Sequence, residues 1–211
     1  MERSASLEEA KKIMGKNFIG PEELSKISAP FKILIPLKNI PVIPFGGNFL
    51  RKIKKDYILI LGIPGLTINK MREIIGFDPE KFEPCFYNQD WYLKEKFAAE
   101  EELGFKWYLI SKNLNEESRG KDPEKIIKTL KKEKNFPSAV LAAFVFFTYY
   151  FIRGEILWKH DFIWCKDKDS NGDRIYVGRY SDLKKINKNG FNIHRRLSVR
   201  ACYGFAPQLI K

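Results

Sequence analysis

The chain has 211 residues, 44% hydrophobic and 14% aromatic, with 38 Lys and Arg against 26 Asp and Glu. That composition supplies enough apolar side chains for a packed core and excludes a disordered chain. The net charge of +12 points to an anionic partner: nucleic acid, a membrane surface or an acidic ligand.

In chain order, Ser6 with Glu9 three residues on has capping-box spacing and predicts a first helix over residues 6–14. Gly20-Pro21 starts a second, short one, with proline where its missing N–H is harmless. Pro30, Pro36, Pro41, Pro44 and Gly46-Gly47 leave room for short extended pieces and turns over residues 29–50, but for no long helix. The isoleucine-rich run over residues 56–63 reads as a buried strand, followed by a helix from Leu66 to Ile75 with Thr67 or Asn69 near its start and Gly76 beyond its end.

Residues 91–103, with Trp91, Phe97 and Ala98 among Lys and Glu, predict an amphipathic helix closed by Gly104, and residues 106–111 a strand. Asp122-Pro123 caps a short lysine-rich helix. Phe136-Pro137-Ser138-Ala139 opens the most apolar segment, a helix to about Arg153 stopped by Gly154. It is apolar nearly all round and too short for a membrane span, so it is expected at the domain centre. Strands are expected at 162–165, 174–180 and 197–203, with a Lys/Asn-rich loop before the last.

The chemistry-bearing candidates are few. Gly62-Ile-Pro-Gly65 follows a strand and precedes a helix, yet lacks both the Gly-Lys-Ser/Thr ending of a phosphate loop and GxGxxG spacing. Asp167, Asp169 and Asn171 with Gly172 match the start of a calcium loop, but its twelfth position is Gly178 where a glutamate belongs. Asn171-Gly172 fits a tight hairpin better. His160 and His194 lack metal or triad spacing, Cys85, Cys165 and Cys202 form no CxxC pair, and Glu100-Glu101-Glu102 reads as a solvated acid run. Neither a catalytic set, a metal nor a cofactor is expected, and the acidic start predicts a cytoplasmic protein without a signal peptide.

The charge is concentrated. From Arg174 to Lys211 there are nine Lys and Arg against the single Asp182, a net +8 of the total +12. Tyr180, Phe191 and Tyr203 are interleaved with these cations, and such a mixture can stack on rings while the charges hold phosphates or carboxylates.

Two of these segments carry a resemblance. Phe136-Pro137-Ser138-Ala139 leading into an apolar helix resembles the Leu-Pro-Thr/Ser-Ala/Glu central helix of the C-type-lectin-like fold. The form is that of formylglycine-generating-enzyme-like domains and the variable proteins of diversity-generating retroelements. Ile175-Tyr176-Val177-Gly178-Arg179-Tyr180 and Leu197-Ser198-Val199-Arg200-Ala201-Cys202 look like its paired closing strands. The match covers roughly residues 85–207. The tryptophan-rich approach to the closing strands is reduced to Trp158 and Trp164, and no cysteine pair for oxygenase chemistry is placed.

The resemblance implies an α+β, C-type-lectin-like domain over residues 56–211, with a central apolar helix and C-terminal antiparallel strands, preceded by a helical and Pro-rich extension over residues 1–55. It implies a non-enzymatic scaffold displaying a variable ligand-contacting patch. The matching residues are Tyr180, Lys184, Lys185, Asn187, Lys188, Asn189, Phe191, Asn192, His194, Arg195 and Arg196. The ligand expected is a protein or other macromolecule. The competing expectation is a nucleic-acid-binding protein of a mobile-element or defence system, using the same basic C-terminus.

Overall fold

The structure, a computed structural model, describes every residue except 1, 32–37, 133, 181–189, 196–197 and 211, and for 29–31 and 180 the backbone alone. Ser6 caps the first helix as its spacing predicts: its hydroxyl accepts from the Glu9 N–H at 3.1 Å, and α1 runs Leu7–Met14. After a two-residue strand β1, Phe18–Ile19, comes α2, Pro21–Phe31, where buried Glu23 reaches back to accept from the Gly20 N–H at 3.0 Å. This second helix is longer than expected, with Pro30 in its last turn. Past the prolines, α3 occupies Gly47–Ile53. The buried strand is β2, Tyr57–Leu61, and α4, Ile68–Ile75, is capped by Thr67 and stopped at Gly76.

The helix expected over residues 91–103 does not form; only Lys96–Ala99 coils, as α5. Upstream, the Gln89 Nε2 and Trp91 Nε1 protons both go to the Ile193 carbonyl, at 2.7 and 3.2 Å, so this stretch is laid along a strand and not wound. Next come β3, Trp107–Ser111, α6, Pro123–Thr129, and β4, Lys134–Asn135. The apolar helix is α7, Ala139–Arg153, begun by Ser138, whose Oγ accepts from the Leu141 N–H at 3.3 Å, and closed by Gly154. Among the described residues five strands follow: β5, Phe162–Lys168; β6, Arg174–Tyr180; β7, Gly190–Arg195; β8, Tyr203–Gly204; and β9, Gln208–Leu209.

The fold is α+β with two mixed sheets. One has the order β1-β2-β3-β9-β4, with β1 parallel to β2 and the other pairs antiparallel. The other has the order β7-β6-β5-β8, with β8 parallel to β5. β1 joins the first sheet, and Ala10, Met14, Leu24 and Leu50 share one apolar core with α7.

Every residue of α7 from Ala139 to Tyr149 is buried, as its all-round apolarity predicts. It packs on α2, α4 and α5 and on the inner face of β5 and β6. Burying one large apolar side chain contributes about 1.5–3 kcal/mol. The fully buried rings of Phe144, Phe146 and Phe147 alone therefore rival a typical net stability of about 5–15 kcal/mol. Polar ties fix both ends. The Ala139 N–H donates to Asp167 Oδ2 at 2.6 Å, while Arg153 donates to the Lys16 and Phe18 carbonyls at 2.8 and 3.0 Å.

The strand expected over residues 197–203 is also corrected. The antiparallel neighbour of β6 is β7, with Tyr180 opposite Gly190 and Ile175 opposite Arg195. Residues 198–200 have no regular structure, and only Tyr203 and Gly204 pair, parallel to β5. The slot beside β6 holds one strand, and Phe191 with Ile193 provides the alternating apolar pair that the core requires there.

Candidate ligand-binding face

The β5–β6 connection is a hairpin. Asp169 Oδ1 accepts from the Asn171 and Asp173 N–H groups at 2.9 and 2.8 Å, and Gly172 takes the turn at φ 83°. Ser170 donates its N–H and hydroxyl to Glu95, at 2.8 and 2.9 Å. The aspartate expected of a metal loop is thus the internal anchor of a turn. Among the described residues no three His, Cys, Asp or Glu side chains are grouped to hold a metal ion.

From that turn the ladder runs to Tyr180 and Gly190, where the nine residues 181–189 join paired neighbours. Gly190 is required: at φ 146°, an added Cβ would stand 2.7 Å from the Tyr87 nitrogen. Residues 85–91 cover the outer edge of β7. The Phe191 N–H donates to Cys85 O at 2.8 Å and the Tyr87 N–H to Phe191 O at 3.0 Å. That edge is closed to a further strand.

Strand alternation divides the residues assigned to the patch. Phe191 and Ile193 face α7, and Phe191 is wholly buried, with its ring centroid 4.8 Å from that of Phe146 and 5.4 Å from that of Phe147. Phe191 is therefore a core residue and not a surface contact. Asn192 is buried too, its Nδ2 donating to Gly190 O at 2.9 Å. His194 is half-buried on the opposite face, stacked on Tyr176 with centroids 5.4 Å apart. Burial, with the Arg200 guanidinium nearby, holds His194 below the usual imidazole value, so it is neutral at pH 7.

Arg195 is exposed. It lies over the Trp91 ring at 5.3 Å and 3.5 Å from Asp169 Oδ2. Tyr180 and Arg195 end opposite ends of the ladder, a separation of roughly 17 Å at the usual rise per residue. Lys184, Lys185, Asn187, Lys188, Asn189 and Arg196 lie outside the described residues.

The basic count also separates. Arg174 is buried and bonded to Glu124 at 2.8 and 3.0 Å and to the carbonyls of Cys165 and Lys166, both at 3.1 Å. Arg179 is buried against Glu83. Two of the nine cations are thus internal ties. Sequence reasoning missed the aromatic face around His194, where Phe162, Trp164, Tyr176 and Tyr203 form a cluster behind it. Strand alternation pointed to it, but only the register places Tyr176 opposite His194.

Two other places bear on catalysis. At Gly62 an added Cβ would meet the Gly104 carbonyl and stand 2.6 Å from the Tyr108 ring, so this glycine serves the close packing of the turn on its neighbours. Beside the start of α7, a shallow cleft of about 350 Å³ is lined by Glu100, Glu101, Asp167, Lys96 and Lys168. Burial and the Glu101 carboxylate push Asp167 up to about 6, but its Oδ2 is committed to Ala139 and Glu101 is paired with Lys166. Burial also pushes the thiols of Cys85, Cys165 and Cys202 up, Cys85 to about 11, so all three stay protonated at neutral pH.

Comparison with family models, curated proteins and solved structures finds no match to this chain.

Proposed function

We propose that this chain is a non-enzymatic binding protein that displays a variable basic and aromatic surface on a C-type-lectin-like scaffold, as the variable proteins of diversity-generating retroelements do. One observation carries the reading. Nine residues, 181–189, join a Tyr180–Gly190 pair that a tight hairpin would close with two, and Lys184, Lys185 and Lys188 lie within them. The ladder beneath is held by Phe191 in the core, by the Arg179–Glu83 pair and by the covered edge of β7. Such a base tolerates sequence change in the connection without loss of the fold.

Sequencing closely related copies of the gene tests this. Substitutions are expected to concentrate at residues 180–196, sparing the buried Phe191 and Asn192. Substitutions spread evenly along the chain would sink the reading. The expected ligand is a macromolecule with an acidic surface.

The exposed side chains of Arg195 and Arg200 favour a second reading, nucleic-acid binding through the same end of the molecule. It predicts an affinity for DNA or RNA that falls steeply with salt and weakens on Arg195→Ala with Arg196→Ala. Unchanged mobility of both nucleic acids in a low-salt gel shift excludes it.

A further inference from the structure

A second cationic feature lies away from the C-terminal strands. An open groove of about 480 Å³ runs between α6, the 3-10 turn Glu116–Ser118 and β4. Lys121, Lys125 and Lys131 stand exposed on its rim, with Lys134 half-buried on β4. Its floor is apolar: Ile126 and Leu130 from the α6 region, backed by Phe205.

The nearby carboxylates are largely engaged elsewhere. Asp122 caps α6, Glu124 is held by Arg174, and Arg119 takes both Glu116 and Asp161. Among the described residues that line the groove, Glu117 is the one acid against four lysines. Among the described residues none of those four ammonium groups has a carboxylate within ion-pair distance. A groove walled by uncompensated cations over an aliphatic floor is complementary to a ligand that is anionic at its flanks and apolar at its middle.

We infer that this groove docks a short acidic peptide segment of a partner protein, seating one aliphatic side chain on Ile126 and Leu130 between carboxylates held by the lysines. Nucleic acid fits less well. Among the described residues that line the groove there is no arginine, and the one ring, Phe205, is 1% exposed, so those residues offer no aromatic face for base stacking. Lysines, as point charges without a planar fork, suit carboxylates of varied geometry. The volume suits a few residues and not a folded domain.

Fluorescence anisotropy of the full chain at low salt, with three labelled probes, tests this. The probes are a peptide with a central leucine flanked by aspartates and glutamates, the same peptide with glycine for leucine, and an oligothymidylate. The leucine peptide is expected to bind saturably and tightest. Lys125→Glu with Lys131→Glu should weaken it about tenfold or more, and glycine for leucine by severalfold. Arg195→Ala should leave it unchanged, because Arg195 lies on another element. An unchanged affinity in the double-lysine variant overturns the inference. So does equal binding of the glycine peptide, or an oligonucleotide that binds as tightly through the same two lysines. Exposed lysines on α6 and the loop after it are not needed for folding, and circular dichroism of the variant checks this.

Discussion

Arg179, at the far end of β6, donates its Nε proton to Glu83 at 2.9 Å, and both charges are largely withdrawn from water. A cation that composition assigns to a binding surface is instead a tie between the second sheet and the loop before β7's covering segment. Removing one partner of such a pair strands the other charge, which costs far more than losing an exposed pair. Arg179→Met is expected to lower unfolding stability by about 3 kcal/mol, and adding Glu83→Gln should recover much of the loss. Urea melts of the single and double variants measure both. A single variant as stable as the parent would show the pair to be inconsequential.

Phe191 separates a core role from a surface role directly. Its ring is enclosed by Phe86, Phe146 and Phe147, so Phe191→Ala should cost about 3–5 kcal/mol and lower the melting temperature sharply. A surface aromatic would give a nearly unchanged melt and a change only in binding.

Asp167 makes a pH-dependent prediction. Its folded carboxyl titrates at about 6 against 3.8 for the free group, because burial disfavours the charged form. The folded state therefore holds the proton more tightly than the unfolded state. Below about pH 4 both states are protonated and the group contributes no penalty; between about 4 and 6 stability falls, and above 6 the penalty is complete. Asp167→Asn keeps an acceptor for the Ala139 N–H and should abolish this fall. The variant should match the parent near pH 4 and exceed it at pH 7 by up to about 3 kcal/mol. Melts across that range decide it, and a variant less stable at pH 7 would contradict the burial argument.

Calcium should not stabilise the chain. Asp169 Oδ1 is already used by two N–H groups of its own turn, and its other oxygen faces Arg195. Millimolar calcium is expected to leave the melting temperature unchanged, whereas Asp169→Ala lowers it with or without the ion. A calcium-dependent rise in melting temperature would restore the metal reading.

Local features were legible before any fold was known. The Ser6 cap, a start for α4 near Thr67 or Asn69 with its stop at Gly76, the Asp122-Pro123 start of α6, and the opening of α7 within residues 136–139 with its stop at Gly154 were read from neighbouring residues. Each rests on hydrogen bonds spanning only a few positions, so the sequence window contains both partners. The Asn171-Gly172 hairpin was legible for the same reason. At residues 91–103 the helical periodicity is outweighed by side-chain hydrogen bonds to Ile193, a residue about a hundred positions away.

The candidate site divides along the same line. The sequence by itself determined that the C-terminal quarter is basic, that aromatics are mixed into it, and that an apolar helix stands before it. Only the tertiary structure decided which of those residues face water. The register of β7 on β6 sends Phe191 inward against α7 and His194 onto the aromatic cluster of the other face, Arg195 is left exposed at the strand's end, and partners distant in the chain draw Arg174 and Arg179 inside. The reason is physical: a strand's alternation fixes which residues share a face, but which face is buried depends on what packs against it. Charge is counted along the chain, whereas its neutralisation depends on carboxylates brought close by folding.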